Sequence, residues 1–447
     1  MEKINLFFWS FCFLQWFAGA YDPLDPNGNI TVKWDFFDIR DEDGYVVTVT
    51  LYNNQLYRHI ESPGWALGWT WPSEDEIILH MSGAEATKQG DCKRFKSDPL
   101  PHSCERSPVI VDLVPGVPYN LQTANCCKGG VISSLTQDPS KAISSFQMAV
   151  QSSVNFTATS GTFGSPSNFS IGVPGYTCSN NMALVEPTKF STGNSQRIQQ
   201  ALMTWQVVCS FSQFRESNAP SCCVSLSSFY SDAIVNCPRC SCRCPHTGLA
   251  GNCYIDDEPD NKLQTPNGEG DGKVAVKCSE HMCPIQVHWH VKVNYKDYWR
   301  VKVTITNLNF FKNYSDWNLV LEHPNLQNIT QIFSFSYQPL IVYPGTNDTG
   351  LFWGMPFYNT MLLEHGESGN VQTEMILHKD SRDFTFEGGW AFPRRVLFNG
   401  HECVMPSPET YPSLPKAAAA TATASAAAVV PVASSIAHFL ITVLLFL

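Results

Sequence analysis

The chain has 447 residues, and about 405 remain once the two terminal segments described below are removed, more than one ordinary hydrophobic core organises. Two domains are therefore expected. A formal net charge of −11 argues against nucleic acid, which selects basic faces, and leaves a neutral polysaccharide open as a partner.

The N-terminus reads as a secretory signal. Lys3 gives a weakly basic start, residues 6–17 are an almost unbroken apolar run, and Ala18-Gly19-Ala20 fits small-x-small cleavage before Tyr21. That run is too short to span a bilayer, so residues 1–20 are assigned to a signal peptide. Of the 17 cysteines only Cys12 leaves with it, and the even remainder in an oxidising compartment points to disulfides. Six N-x-S/T sequons, at Asn29, Asn155, Asn168, Asn313, Asn328 and Asn347, are expected to carry surface glycans.

Strand signals follow. Residues 47–53 alternate β-branched with other residues and end at Asn53, a strand running into a turn. Next, Trp65, Leu67, Trp69 and Trp71 stand at alternate positions and share one face of a strand. Two readings are open: the indoles fill a sandwich core, or their flat faces form a row that stacks on β-linked sugar rings. Tyr52, Tyr57 and Tyr119 are further aromatic candidates. Acidic groups at 41–43, 74–76 and 256–258 read as solvated turns rather than a glycosidase pair. Residues 152–194, rich in Ser, Thr, Gly, Pro and Asn, mark a loop-heavy boundary.

Beyond it, Ile198, Ala201, Leu202 and Trp205 have helical spacing, which predicts a helix over residues 195–208. The stretch 209–253 is dense in cysteine. Cys237, Cys240, Cys242 and Cys244 superficially resemble a zinc site, yet compartment, even count and the lack of a completing pair favour disulfides. Both adjacent pairs, Cys126-Cys127 and Cys222-Cys223, are expected to bond to distant partners. His288 and His290 share a strand face across Trp289 and are either structural or a metal pair. Residues 301–307 match 47–53 without a gap, and Trp317 follows as Trp65 does. Either the units are duplicated or two sandwich strands have converged.

The C-terminus fits a glycosylphosphatidylinositol (GPI) signal. Residues 409–425 form a stalk ending at the attachment residue Ser425, and 426–447 are a spacer and apolar tail with no basic flank. G-x-S-x-G, H-E-x-x-H and P-loop motifs are absent, so neither a catalytic residue nor a cofactor is assigned. The expected fold is mainly β, with two β-sandwich-like domains at 21–193 and 194–408. The second is opened by a short helix and a disulfide-rich segment.

Specific motifs add a resemblance. Residues 21–31 (YDPLDPNGNIT), 64–71, Gly90-Asp-Cys92, 115–120, Asn125-Cys-Cys-Lys128, 200–205, Cys222-Cys-Val-Ser225, Asp316-Trp317-Asn318 and 388–393 resemble the plant COBRA family over nearly all of the mature chain. The resemblance implies a GPI-anchored protein on the extracellular face of the plasma membrane, acting in cellulose deposition, microfibril organisation and oriented cell expansion. It also implies a carbohydrate-binding N-terminal part, which favours the stacking reading for Trp65, Trp69 and Trp71, with Tyr57 as a further expected sugar contact. The implied partner is cellulose or nascent glucan chains. A scaffold with buried tryptophans that recruits another wall or membrane protein, and a wall hydrolase with facing carboxylates, are the competing readings.

Overall fold

The structure, a computed structural model, describes residues 22–40, 44–95, 99–151, 165–192, 197–213, 215, 221–238, 253–254, 276–277, 283–309, 312–341, 348–379 and 391–412. It is mainly β. Among the described residues no helix is long and apolar enough to cross a membrane.

The first domain runs through β1 (Ile30–Arg40), β2 (Gly44–Asn53), β3 (Ala66–Thr70), β4 (Ile77–Ser82), β5 (Ala84–Ala86) and β6 (Val109–Asp112). It continues with β7 (Ile143–Gln151), β8 (Ser167–Ser170), β9 (Tyr176–Cys178), β10 (Ala183–Val185), β11 (Lys189–Thr192), β12 (Arg197–Gln200) and β13 (Met203–Phe211). A seven-stranded sheet in the order β10-β13-β1-β2-β7-β4, with β9 also on β13, faces a four-stranded sheet in the order β5-β6-β3-β8. Period-two patterning explains the packing: Val47, Val49 and Leu51 point inward from β2 and meet Leu67 of β3 and Ile110 of β6.

The tryptophan row lies between these sheets. Alternation holds, but the shared face is the inner one: Trp65 and Trp71 are 1% exposed and Trp69 is 2%. Trp34 of β1 meets Trp69 edge-on at 5.1 Å and Trp71 at 6.2 Å, and Trp65 stacks on Phe146 at 5.9 Å. Protein covers their ring faces, so the stacking role expected of Trp65, Trp69 and Trp71 is corrected to a core role.

The expected helix over 195–208 is also corrected. Its described residues, from 197 on, form β12, a turn and β13, in which Met203, Trp205, Val207, Cys209 and Phe211 alternate inward. A helical stripe would need Leu202 inside, and Leu202 is 59% exposed. Because β13 pairs with β1 from Ile30↔Cys209 to Phe36↔Met203, the first domain extends past the boundary expected at 193/194.

The second domain opens on a strand instead of a helix. Its elements are β14 (Cys222–Ser228), β15 (Ser231–Val235), β16 (Cys253–Tyr254), β17 (Val276–Lys277), β18 (Ile285–Asn294), β19 (Tyr298–Asn307) and β20 (Asn318–Glu322). Then come β21 (Ile329–Ile332), β22 (Phe335–Pro339), β23 (Thr349–Gly354), β24 (Asn370–His378), β25 (Arg395–Phe398) and β26 (His401–Glu402). A six-stranded sheet, β15-β14-β18-β19-β24-β21, packs on a five-stranded one, β22-β23-β20-β25-β26. Cys222–Cys403 and Cys223–Cys237 tie β14 to distant segments, as expected for that pair.

The five-stranded sheet is buried on both faces. Leu319, Leu321, Phe352 and Val396 fill the second core, while Val320, Leu351 and Leu397 pack on Leu24 and Tyr57 of the first domain. Tyr57 is therefore a junction residue, its hydroxyl donating to Asp22 Oδ2 at 2.5 Å, and its expected sugar contact is corrected likewise. Beside it Asn318 Nδ2 donates to Tyr57 O at 2.8 Å, and Glu61 pairs with Lys312.

The internal match is structural as well. β2 and β19 each lie third from one edge of their long sheet, flanked by antiparallel partners. Asn53 and Asn307 both end the strand buried. Asn53 Oδ1 accepts from the backbone N of Gln55 at 3.2 Å, and Asn307 Oδ1 from that of Asn309 at 2.8 Å. Each Nδ2 also donates to the carbonyl five residues on, Arg58 O at 2.8 Å and Lys312 O at 3.0 Å.

Replacing Trp69 by Ala should destabilise the first domain by about 3–5 kcal/mol, as for other large core truncations, and lower the yield of folded protein. Thermal unfolding of the purified variant checks this. An unchanged midpoint would contradict the core assignment.

Candidate functional site

The outer face of the seven-stranded sheet presents what the inner face does not. In β2 the outward positions are Thr48, Thr50 and Tyr52, opposite Gln147, Ser145 and Ile143 of β7. A β-bulge between Phe36 and Asp38 breaks the register of β1 against β2. Strand alternation sends Phe36 into the core and leaves Phe37 outside. The β11–β12 hairpin brings Phe190, whose ring lies 5.2 Å from Phe37, and Gln199. Residues 123–125 rise over β7 on the other side. Together these residues line a groove of about 590 Å³.

The wall at 123–125 is built firmly. Thr123 Oγ1 donates to Ser145 O at 2.9 Å, and Ser145 Oγ donates to Ala124 O at 2.5 Å. Behind it the Asp112 carboxylate accepts the backbone N–H groups of Cys127, Lys128 and Gly130 at 2.8–2.9 Å. Cys126 and Cys127 are bonded to each other, not to distant partners as expected. Asn125 (φ 64°) and Cys127 (φ 69°) adopt left-handed backbone, the tight local turn within which neighbouring thiols meet.

The groove's lining is uncharged, with the Lys33 ammonium 5.5 Å over the Tyr52 ring beside it. Its described lining combines aromatic rings (Phe37, Tyr52, Phe190) with hydroxyls and amides (Thr48, Thr50, Gln147, Gln199, Asn125) and has no charged side chain. Burial, with Asp35 nearby, pushes the Tyr52 phenol above its ordinary value, so it stays protonated and able to donate. Aromatic faces suit the C–H faces of sugar rings, and amides and hydroxyls suit their equatorial hydroxyls. A glycosidase needs two carboxylates across the bond it cuts, and none lines the groove.

A second concavity of about 300 Å³ lies at the domain junction, lined among others by Arg58, His59, Glu61, Tyr176, Phe211 and His401. Glu61 is the one carboxylate in its described lining, and Lys312 and Asn399 already bond it. The Glu74–Glu76 group is split, with Glu76 buried and its two neighbours exposed; the other two acidic groups lie outside the described residues.

His288 and His290 are held by hydroxyls. Ser225 Oγ lies 2.6 Å from His288 Nδ1, and Ser227 Oγ lies 2.8 Å from both His288 Nε2 and His290 Nδ1. Parallel pairing of β14 with β18, Ser225↔His288 and Ser227↔His290, sets this ladder. Among the described residues no group of three His, Cys, Asp or Glu side chains is arranged to hold a metal. Asn168 and Asn313 are exposed. Asn29 is half-buried, its Nδ2 donating to Asn27 O at 3.0 Å. Asn155, Asn347, Ser425 and the side chain of Asn328 lie outside the described residues. Tyr119 is 89% exposed and does not line the groove, whereas Tyr52 does.

Two family models match the chain, the COBRA N-terminal domain over residues 45–212 and the COBRA family C-terminal domain over residues 221–412. The break between them falls just after β13, where the strand pairing also changes domain. The chain is 55% identical over 408 residues to COBRA-like protein 3 of Oryza sativa subsp. japonica, covering 90% of this chain and 88% of that protein. It is 53% identical over 415 residues to COBRA-like protein 1 of Arabidopsis thaliana, covering 91% and 90%. It is 53% identical over 402 residues to Protein COBRA of Arabidopsis thaliana, covering 89% and 87%.

Burial lowers the His288 pKa from 6.5 to about 4, with His290 and Lys302 adding to the effect. The unfolded chain therefore takes up this proton first, and the stability that neutral His288 contributes is lost as pH falls from about 6.5 to about 4. Asp25, raised to about 6 chiefly by burial, acts in the opposite sense over the lower part of this window. His288→Gln should consequently lose less of its thermal midpoint than the unsubstituted protein between pH 7 and pH 5, since Asp25 is common to both. Parallel pH dependences would refute this assignment.

Proposed function

The chain belongs to the COBRA family, and on that premise we propose that it is a non-catalytic cellulose-binding protein of the cell surface. Residues 1–20 direct it to secretion, and a GPI group on Ser425 holds it on the extracellular face of the plasma membrane. A GPI group carries more than one acyl chain, and a single chain anchors only marginally. In this position the protein holds cellulose or nascent glucan chains and assists their deposition, microfibril organisation and oriented cell expansion. The observation that carries this reading is the groove on the first domain, with aromatic and uncharged polar lining and no carboxylate.

A specific observation favours a second reading. The tryptophan cluster is buried, while Phe229, Tyr230 and Ile234 of the β14–β15 hairpin are exposed, Phe229 at 72%. Such a patch suits a wall or membrane protein partner.

The secreted protein spanning residues 21–414 should be retained on cellulose in preference to xylan and chitin. Stacked aromatic contacts are worth about 0.5–1.5 kcal/mol beyond their buried area, so Tyr52→Ala combined with Phe190→Ala should weaken retention about tenfold or more. Retention that survives this double substitution would remove the groove from the reading. Absence of retention from folded protein would favour the hairpin and a protein partner.

A further inference from the structure

We infer that one end of the second domain seats directly on the outer leaflet of the membrane, with the aromatic rings of two hairpins at headgroup depth. This rests on the anchored reading above and is independent of what the groove binds.

Strand pairing brings the two hairpins side by side. β14 runs parallel to β18 up to Ser228↔Val291, and the backbone N of Phe229 donates to Val291 O at 3.0 Å. Both strands then turn, β14 through Phe229 and Tyr230 into β15, and β18 through residues 295–297 into β19. Turns in water favour Gly, Pro, Asn, Asp and Ser. Here Phe229 is 72% exposed, and Tyr230 and Tyr295 are 42% exposed each. The rings of Tyr295 and Tyr298 lie 4.2 Å apart, with exposed Lys296 between them in sequence. Rings at two neighbouring tips call for an apolar cover.

Their chemistry suits lipid. Tyrosine and lysine have an apolar body and a polar tip, and aromatic residues gather at the boundary between headgroups and acyl chains. Charges on and beside the turns nearly balance, Lys296 and Lys379 against Asp232 and Asp297, while Lys292 and Arg300 share Glu374. Such a surface fits a zwitterionic leaflet and does not depend on anionic lipid.

The chain approaches its anchor from the same side. Cys403 is bonded to Cys222, and Val404 pairs in parallel with Cys223, so the last stretch of the domain sets out along β14 toward Phe229. Tyr411 then packs edge-on against Phe392 at 5.4 Å. Next to Phe392, the Ala391 carbonyl accepts from Trp289 Nε1 at 2.9 Å. Trp289 stands opposite Leu226, only three residues, about 10 Å, from Phe229. Residues 413–425 reach at most about 45 Å, several times that step. A stalk of this length enters the bilayer with the hairpins already seated.

The opposite end of the sheet points away from the membrane. Lys312, whose carbonyl accepts from Asn307 at the far end of β19, pairs with Glu61 of the first domain. β19 is about 30 Å long, so seating its Tyr298 end holds that junction clear of the lipid. The Asn328 sequon precedes β21, on the opposite edge of the sheet from β14, about 19 Å across. The domain therefore seats by the corner that β14, β18 and β19 form. Shallow contact is enough there, because the anchor keeps the effective concentration high.

The test uses the mature anchored protein in phosphatidylcholine vesicles, and the same protein released by a phospholipase that cuts the GPI phosphodiester. Amide hydrogen exchange over residues 228–232 and 294–298 should be several-fold slower on the vesicles than after release, with little dependence on salt. Phe229→Ser combined with Tyr295→Ser, both at exposed positions, should abolish the slowing and leave the unfolding midpoint unchanged. Equal exchange before and after release, or slowing that survives the double substitution, overturns the seating and keeps the anchor. Slow exchange that persists in the released protein points to a protein cover in place of lipid and overturns it as well. Failure of the phospholipase to release the protein from cell membranes overturns the anchored reading itself, and the inference with it.

Discussion

The edge-on contact of Trp34 with Trp69 and Trp71 is the constraint that decides which face of the first domain is open to a ligand. One indole comes from the seven-stranded sheet and the others from the segment of β3, so the cluster joins the two sheets across the core. Each such pair is worth roughly 0.5–1.5 kcal/mol beyond the area it buries. A sheet closed on its inner face by indoles can meet a ligand only on its outer face. There the same strand that sends Val47, Val49 and Leu51 inward sends Thr48, Thr50 and Tyr52 outward. The strongest aromatic signal and the candidate binding surface are thus opposite sides of one packing solution.

The second domain shows that this architecture does not by itself make a groove. The match of residues 47–53 with 301–307 equates Thr48, Thr50 and Tyr52 with Lys302, Thr304 and Thr306, on strands that end in asparagines bonded alike. On that second outer face Glu374 pairs with Lys292 and Arg300, and the Ser225–His288–Ser227–His290 ladder fills the neighbouring strands. Those polar groups are already matched to one another. The two long sheets share topology and differ on their outer faces: one has hydroxyls and aromatic rings around a depression, the other bonds its charges across a surface. The five-stranded sheet between them, apolar on both faces, fixes the domains against each other through Leu24 and Tyr57.

What the sequence made legible was periodicity. Residues 47–53 and 301–307 were legible as strands, alternation at 65–71 grouped the residues that share a face, and the repeated asparagine marked a shared turn. Alternation states which residues share a face without stating which way that face looks, and so the tryptophans were open to two readings. Residues 195–208 misled because the turn at Ala201 and Leu202 imitates a helical step, although the period of two from Met203 to Phe211 was present. The groove stayed hidden because its lining comes from β1, β2, β7, a loop and a hairpin, with positions 37 and 199 at its extremes. Two signals pointed toward it: consecutive Phe36-Phe37, which a regular strand cannot bury together, and polar or aromatic residues at the outward positions of β2. The Cys126–Cys127 bond was illegible since it depends on left-handed backbone that three N–H groups on Asp112 support from a distance in sequence.

On the proposed reading the groove, with no carboxylate in its described lining, holds a polymer without cutting it, and such holding is useful even when weak. Uncharged sugar contacts exchange hydrogen bonds with water for hydrogen bonds with protein, a trade worth about 0.5–1.5 kcal/mol each, so a few rings do not bind tightly. A lipid anchor of the kind proposed changes what weak binding accomplishes. Confinement to the surface where chains emerge raises the effective concentration of groove and polymer for one another, to the millimolar range in tethered systems generally. Weak contacts then keep a chain near the surface while still letting it move on. Tight binding would arrest the polymer at the membrane. On the proposed reading, weak contact is the property that would let an anchored protein guide a moving chain.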